Sequence, residues 1–324
     1  MRRIEWVDGL KAWAIFLVVL GHAIGAYKAD AVLHQLIYLY HMPLFFMVSG
    51  ITFYLSIHRS EQEMSMRYLV HRLINLCVPM LIFTIMNLVC MPGRDIFFYY
   101  NGIWYLLHLC LILIAYYVIG KMKIRQIGTI LVSAVWGVMG IVQIYLMCNN
   151  SLIYAKFACE ISKWCGYFIM FNFGIYVYTH LEILKARRCE FIFGCLTIVF
   201  ILSAFACGMQ ENIALFRILV GIPGGGYTCL AFSRRTKIYG FERVLAVASL
   251  EIYLIHLNIF QEIVLPFTFY GDLSRVLKVL CTIVILVFYL VVPIYIFKLE
   301  QYALPLKFIF HPMAVLKDDR LKRN

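Results

Sequence analysis

Of 324 residues, 63% are hydrophobic and only 14% are charged, and the mean hydropathy is +0.85. A water-soluble domain carries about 45–50% apolar and about 25% charged residues, so composition excludes a soluble globule. Too few polar groups are present to cover a surface, and lipid must act as the solvent.

At about 20 apolar residues for each crossing of about 30 Å of hydrocarbon, the sequence predicts ten helical spans. They cover 10–27, 36–57, 73–91, 103–119, 127–147, 164–178, 191–207, 214–232, 244–264 and 276–297. The gaps between them are short. The expectation is an all-α, polytopic transmembrane bundle forming a single membrane-embedded domain over 1–324, with a basic tail at about 299–324. Counting Lys and Arg in alternate gaps with the N-terminus inside gives 22 on the inner side and 7 on the outer side. Positive charge is retained in the cytoplasm, so both termini are expected there. The same asymmetry accounts for the net charge of +12 through anionic membrane lipids, without nucleic acid.

The first span carries Asp8, Lys11 and His22. Eleven helical positions at about 100° each return to within about 20° of the same face, and at 1.5 Å rise they are roughly 16 Å apart. One stripe therefore holds a cation at the cytoplasmic mouth and an imidazole beyond mid-membrane, with Asp8 one turn from Lys11. The plainer reading is a snorkelling lysine and an unrelated core histidine. Arg2 and Arg3 before an apolar run imitate a secretory signal, but Glu5, Asp8 and Lys11 suit it poorly, and a retained first helix is expected.

The second span begins His41-Met-Pro-Leu-Phe-Phe-Met-Val-Ser-Gly50. Entering from the outer half, His41 is placed to share a reaction volume with His22. Ser49 and Gly50 read as packing residues that let another backbone approach. The basic gap that follows brings Arg67, His71 and Arg72; guanidinium forks suit phosphate esters, and topology alone also explains them. Trp104 reads as an interface anchor or a substrate platform. The run 221–226, Gly-Ile-Pro-Gly-Gly-Gly, lacks the strand and the Lys-Ser/Thr of a phosphate loop and is expected to break the eighth span. In the ninth, Ser249, Tyr253 and His256 share a helix face by their i, i+4, i+7 spacing, for structural bonding or for catalysis. Any single intramembrane histidine has a structural reading, a neutral imidazole bonded to a neighbouring helix. The eleven cysteines include no CxxC pair and read as packing residues; no metal site is expected.

Together these blocks resemble acyltransferase family 3, the integral membrane acyltransferases. The resemblance rests on Asp8-Gly-Leu-Lys11 with His22, on 41–50, on Arg72 to Pro79, on Trp104-Tyr-Leu106 and on Ser249-Leu-Glu-Ile-Tyr-Leu-Ile-His256, in family order across the chain. It implies transfer of an acyl group, usually acetyl, from cytoplasmic acyl-coenzyme A to a hydroxyl of a cell-surface or lipid-linked glycan. It also implies the cytoplasmic membrane, of a bacterium, as the location. By match of position, His22 is the family's essential histidine. Lys11 takes the place of a basic residue that is often arginine, so it keeps the charge and loses the bidentate fork. Asn75 stands where the family often has a second arginine. Some relatives carry a fused extracytoplasmic hydrolase-like domain, which these 324 residues do not contain.

On this reading Lys11, Arg72 and Arg67 hold the coenzyme, and His22 is general base or, as the alternative, a nucleophile forming an acyl-imidazole. His41, or the face of Tyr253 and His256, orients His22 or stabilises the oxyanion. The rival from another class is a multi-spanning transporter or glycan-lipid flippase whose His and Glu residues line a path. Such proteins often show internal repeats, and none is evident in this sequence.

Overall fold

A chain in lipid must satisfy every backbone N–H and C=O internally, and the helix does so within one segment. The computed structural model describes residues 4–27, 29–58, 65–90, 103–122, 125–149, 151–206, 214–258 and 274–316, and among these there is no strand. In order the helices are α1 (Glu5–Tyr27), α2 (Ala31–His58), α3 (Met66–Cys90), α4 (Trp104–Lys121), α5 (Arg125–Cys148), α6 (Leu152–Thr179) and α7 (Leu181–Leu184). They continue with α8 (Arg187–Ala206), α9 (Ala214–Ser233), α10 (Gly240–Val247), α11 (Ser249–Asn258), α12 (Arg275–Leu299) and α13 (Leu304–Phe310). The protein is an all-α polytopic helix bundle.

Among the described residues, eight helices are long and apolar enough to cross a bilayer: α1 to α5, α8, α9 and α12. They coincide with eight of the predicted spans. The other two fall on different elements. Residues 164–178 are the C-terminal part of the 28-residue α6, whose earlier turns carry Lys156, Glu160 and Lys163 and so lower its hydropathy. The stretch 244–264 is divided between α10 and α11 at Ala248, and 259–264 lies outside the described residues, as do residues 91 and 207. The helices α1, α2 and α9 bury more than half of their apolar stretch, whereas α5 and α8 bury only a small part of theirs. Outward apolar side chains are the expected arrangement in lipid.

The chain divides into two compact units, and α1 contributes to both, its residues to Val18 belonging to the first and those from Val19 to the second. In the first unit (Met1–Val18, Ala31–Glu63, Val118–Arg243) α2 lies against α6. Lipid removes the hydrophobic drive for helix association, so close backbone approach and van der Waals packing must hold such a pair. Glycines supply it: a Cβ at Gly50 would enter the carbonyl of Phe171, and one at Gly174 would enter the carbonyl of Met47. Phe46 stacks on Tyr167 with ring centres 4.3 Å apart and planes 12° from parallel, an arrangement worth about 0.5–1.5 kcal/mol beyond area burial.

The glycine run of α9 corrects an expectation. The helix continues from Ala214 to Ser233 with Pro223 inside it. The run does not break it, because its glycines make room for neighbours. A Cβ at Gly221 would meet Pro43, one at Gly224 the Tyr40 ring, one at Gly225 the Met47 sulfur and one at Gly226 the Phe193 ring. Tyr40 also shares a hydrogen bond with the Thr228 hydroxyl.

The second unit (Val19–Asp30, Met64–Tyr117, Val244–Asn324) holds α3, α4, α11, α12 and α13. After α12 the chain folds onto α3: Phe310 meets Phe83 at 5.9 Å between ring centres, and the Met313 N–H donates to Asn75 Oδ1 at 3.1 Å. The thiols of Cys77 and Cys110 approach to 3.8 Å.

Candidate active site

In the second unit α1 brings the half-buried His22 against α11, where the His22 and His256 rings lie 5.2 Å apart between centres. His256 is fully buried. Its Nδ1 lies 2.7 Å from the Ile252 carbonyl; a carbonyl only accepts, so Nδ1 carries the proton and the neutral ring presents a lone pair at Nε2. That Nε2 is buried and has no hydrogen-bond partner. A buried acceptor left unsatisfied is costly and rare, which singles it out.

Two tyrosines flank His256. Tyr253 lies 6.1 Å from His256 and Tyr289 lies 6.0 Å from it, both edge-on. The first turn of α4 closes the same side: the Tyr105 N–H donates to the Tyr253 oxygen at 3.3 Å. Trp104 packs edge-on against the buried His108, whose Nδ1–H donates to the Trp104 carbonyl at 2.8 Å. Ser249 is buried at the start of α11. Of the predicted supporting residues, His256 thus lies against His22, and Tyr253 lies against His256.

Arg72 and Arg67 also belong to this unit. Arg72 donates through Nε to the Tyr68 hydroxyl at 3.0 Å and lies over that ring, an arrangement that fixes the guanidinium plane. Arg67 is exposed on the first turn of α3.

Lys11, Asp8, His41 and Ser49 belong to the first unit. Asp8 keeps a buried oxygen, Oδ2, with no hydrogen-bond partner, one turn from the half-buried Lys11. His41 is buried, donates from Nδ1 to the Ile37 carbonyl at 2.6 Å and meets the edge of Tyr38. The Ser49 hydroxyl donates to the Phe45 carbonyl at 2.9 Å.

A family model described as an acyltransferase domain matches residues 4–298, nearly the whole chain. The chain belongs to acyltransferase family 3. Neither the curated proteins nor the solved structures contain a match to it. It is a membrane acyltransferase and an integral membrane protein.

Two groups in this acyltransferase escaped the sequence reading. In the first unit the segment after α9 packs on the start of α1: a Cβ at Gly9 would touch Ile238 and Phe232, and Arg243 lies 3.5 Å from Glu5. Within it Arg235 holds Glu242 through both fork nitrogens at 2.7 and 2.9 Å. Partial burial opposes the Glu242 charge, but Arg235 and the Tyr239 N–H outweigh it and lower that carboxyl. Lys237 and Arg243 are exposed beside this pair. Arg234, Arg235, Lys237 and Arg243 make this a basic gap in the sequence.

In the second unit of the acyltransferase, Glu251, Glu300 and His311 converge, each offering a ligand atom within 4.8 Å of the others. Burial and the neighbouring Glu251 push the Glu300 carboxyl up to about 7, against the pull of His311 and Lys307. No motif marks this group, because its members are separated by 49 and 11 positions.

Proposed function

We propose that the protein transfers an acyl group, acetyl by preference, from cytoplasmic acyl-coenzyme A to a hydroxyl of an extracytoplasmic or lipid-linked glycan, across the cytoplasmic membrane of a bacterium. Membership of the family supports acyl transfer, and the observation that carries the chemistry is the buried, unpartnered Nε2 of His256 beside His22. Both compact units act as one enzyme on this reading, since the family match runs through both.

His22 is the general base. It takes the proton of the acceptor hydroxyl as the oxygen attacks the thioester carbonyl, and coenzyme A leaves as the thiol. His256 is fixed by Ile252 in the tautomer that accepts at Nε2, so it steadies His22 or the incoming hydroxyl. Tyr253, edge-on to His256, is the neighbouring hydroxyl assigned to the developing oxyanion. Lys11 and Asp8 stand eleven or more positions before His22 on the continuous α1. With both termini inside, they lie toward the compartment that supplies the thioester. In the second unit Arg72 and Arg67 are the cations offered to the coenzyme phosphates.

The test uses the purified full chain with radiolabelled acetyl-coenzyme A and an envelope glycan extract. Thioester turnover with label appearing as glycan ester, abolished by His22→Ala in a chain of unchanged size-exclusion profile, supports the enzyme. Glycan movement across a vesicle without turnover of the thioester replaces it with a transporter.

A further inference from the structure

The geometry points to a divalent transition-metal site formed by Glu251, Glu300 and His311 in the second unit. His311 Nε2 lies 3.0 Å from Glu251 Oε1 and 3.4 Å from Glu300 Oε1. Around a zinc-like cation with bonds of about 2.0–2.2 Å, neighbouring ligand atoms stand about 3.0–3.5 Å apart. The three side chains come from three different elements: the first turn of α11, the residue capping α12 and the residue capping α13.

The second observation is what these carboxylates lack. Glu251 is 0% exposed and Glu300 5% exposed, yet Glu251 Oε2 and Glu300 Oε2 have no hydrogen-bond partner, and Glu251 Oε1 has the imidazole of His311 beside it at 3.0 Å. A buried carboxylate without partners carries a penalty of several kcal/mol. A cation of charge two answers it by coordination, which requires no donated proton. The N-terminal turn of α11 also favours negative charge at Glu251. Lys307, on α13, and the imidazole of His311 are the positive groups that act on Glu300, and the two Oε2 atoms stay without a hydrogen-bond partner beside them.

The donor set narrows the cation. An imidazole beside two carboxylates suits zinc, manganese or ferrous iron, whereas magnesium and calcium take oxygen alone. His311 is 39% exposed, so the site opens at that ligand and a cation can enter there. Glu251 and His256 are five helical positions apart, about 140° around α11, so the metal ligand and the catalytic-side imidazole leave the helix in different directions. The cation would tie the segment after α12 to α11.

The test is zinc binding by the purified full chain after chelation, read by equilibrium dialysis and by the thermal unfolding midpoint. One equivalent per chain with a raised midpoint is expected. Glu300→Gln and His311→Ala should each weaken zinc at least tenfold, while His311→Cys, which supplies a thiolate, should retain it. His180→Ala, an exposed histidine outside the group, should change nothing. Zinc held as tightly by His311→Ala as by the parent chain overturns the site, and so does an equal response to magnesium. Absence of any zinc uptake overturns it as well. His22→Ala should bind zinc normally, so loss of acyl transfer and loss of metal are separate results.

Discussion

His22 and His256 face each other with ring centres 5.2 Å apart, and the buried acceptor nitrogen belongs to His256. If His256 positions the base, His256→Gln should reduce kcat by about 10²–10⁴-fold, the range of a lost acid–base contribution. KM for acetyl-coenzyme A should change little. Steady-state kinetics with the thermal midpoint as control measures both; full turnover in that variant removes His256 from proton transfer.

Lys11→Ala should raise KM for acetyl-coenzyme A more than it lowers kcat, because an ammonium that binds phosphate acts equally before and during the reaction. Lys11→Arg should restore a low KM, since arginine keeps the charge and adds the fork. An unchanged KM in Lys11→Ala assigns the lysine to the membrane interface alone.

The glycine contact of α2 with α6 predicts opposite outcomes for the same substitution. Gly50→Ala or Gly174→Ala should destabilise by about 1–3 kcal/mol or more, as overpacking does, because each new methyl meets a backbone carbonyl that cannot rotate away. Gly137, inside α5, has open space where a Cβ would go. Gly137→Ala should therefore stabilise by about 0.5–1 kcal/mol through helix propensity. Thermal unfolding in one detergent compares the three.

A reporter fused after Asn324 should behave as cytoplasmic, following the excess of Lys and Arg in alternate gaps. A reporter active only outside would invert the direction in which His22 and Lys11 are ordered across the membrane.

The helices were legible because long apolar runs in lipid admit one backbone solution, and α1 to α5, α8, α9 and α12 follow from it. The sequence also placed Lys11 and His22 on one helix, and both lie on α1. Side-chain partnership was not legible. His41 and the Tyr253–His256 face were equal choices in sequence, and the contact between α1 and α11 brings His256 to His22. The run 221–226 misleads for a related reason: glycine signals either a weak helix or a crowded one, and only the neighbours Pro43, Tyr40, Met47 and Phe193 decide which. Glu300 and His311 carry no local signal because they acquire meaning only where Glu251 is folded beside them.

Asn75 shows how a departure from a family pattern gains a local use. Where relatives often place an arginine, its side-chain oxygen receives the Met313 N–H, and Phe310 and Val315 nearby in the sequence are buried. The matched family region stops at residue 298, short of all three. Anyone trimming the gene to that boundary for expression would strip α3 of its cover, bare Phe83 and leave Glu251 with an open flank. The smallest piece worth producing therefore extends through Val315.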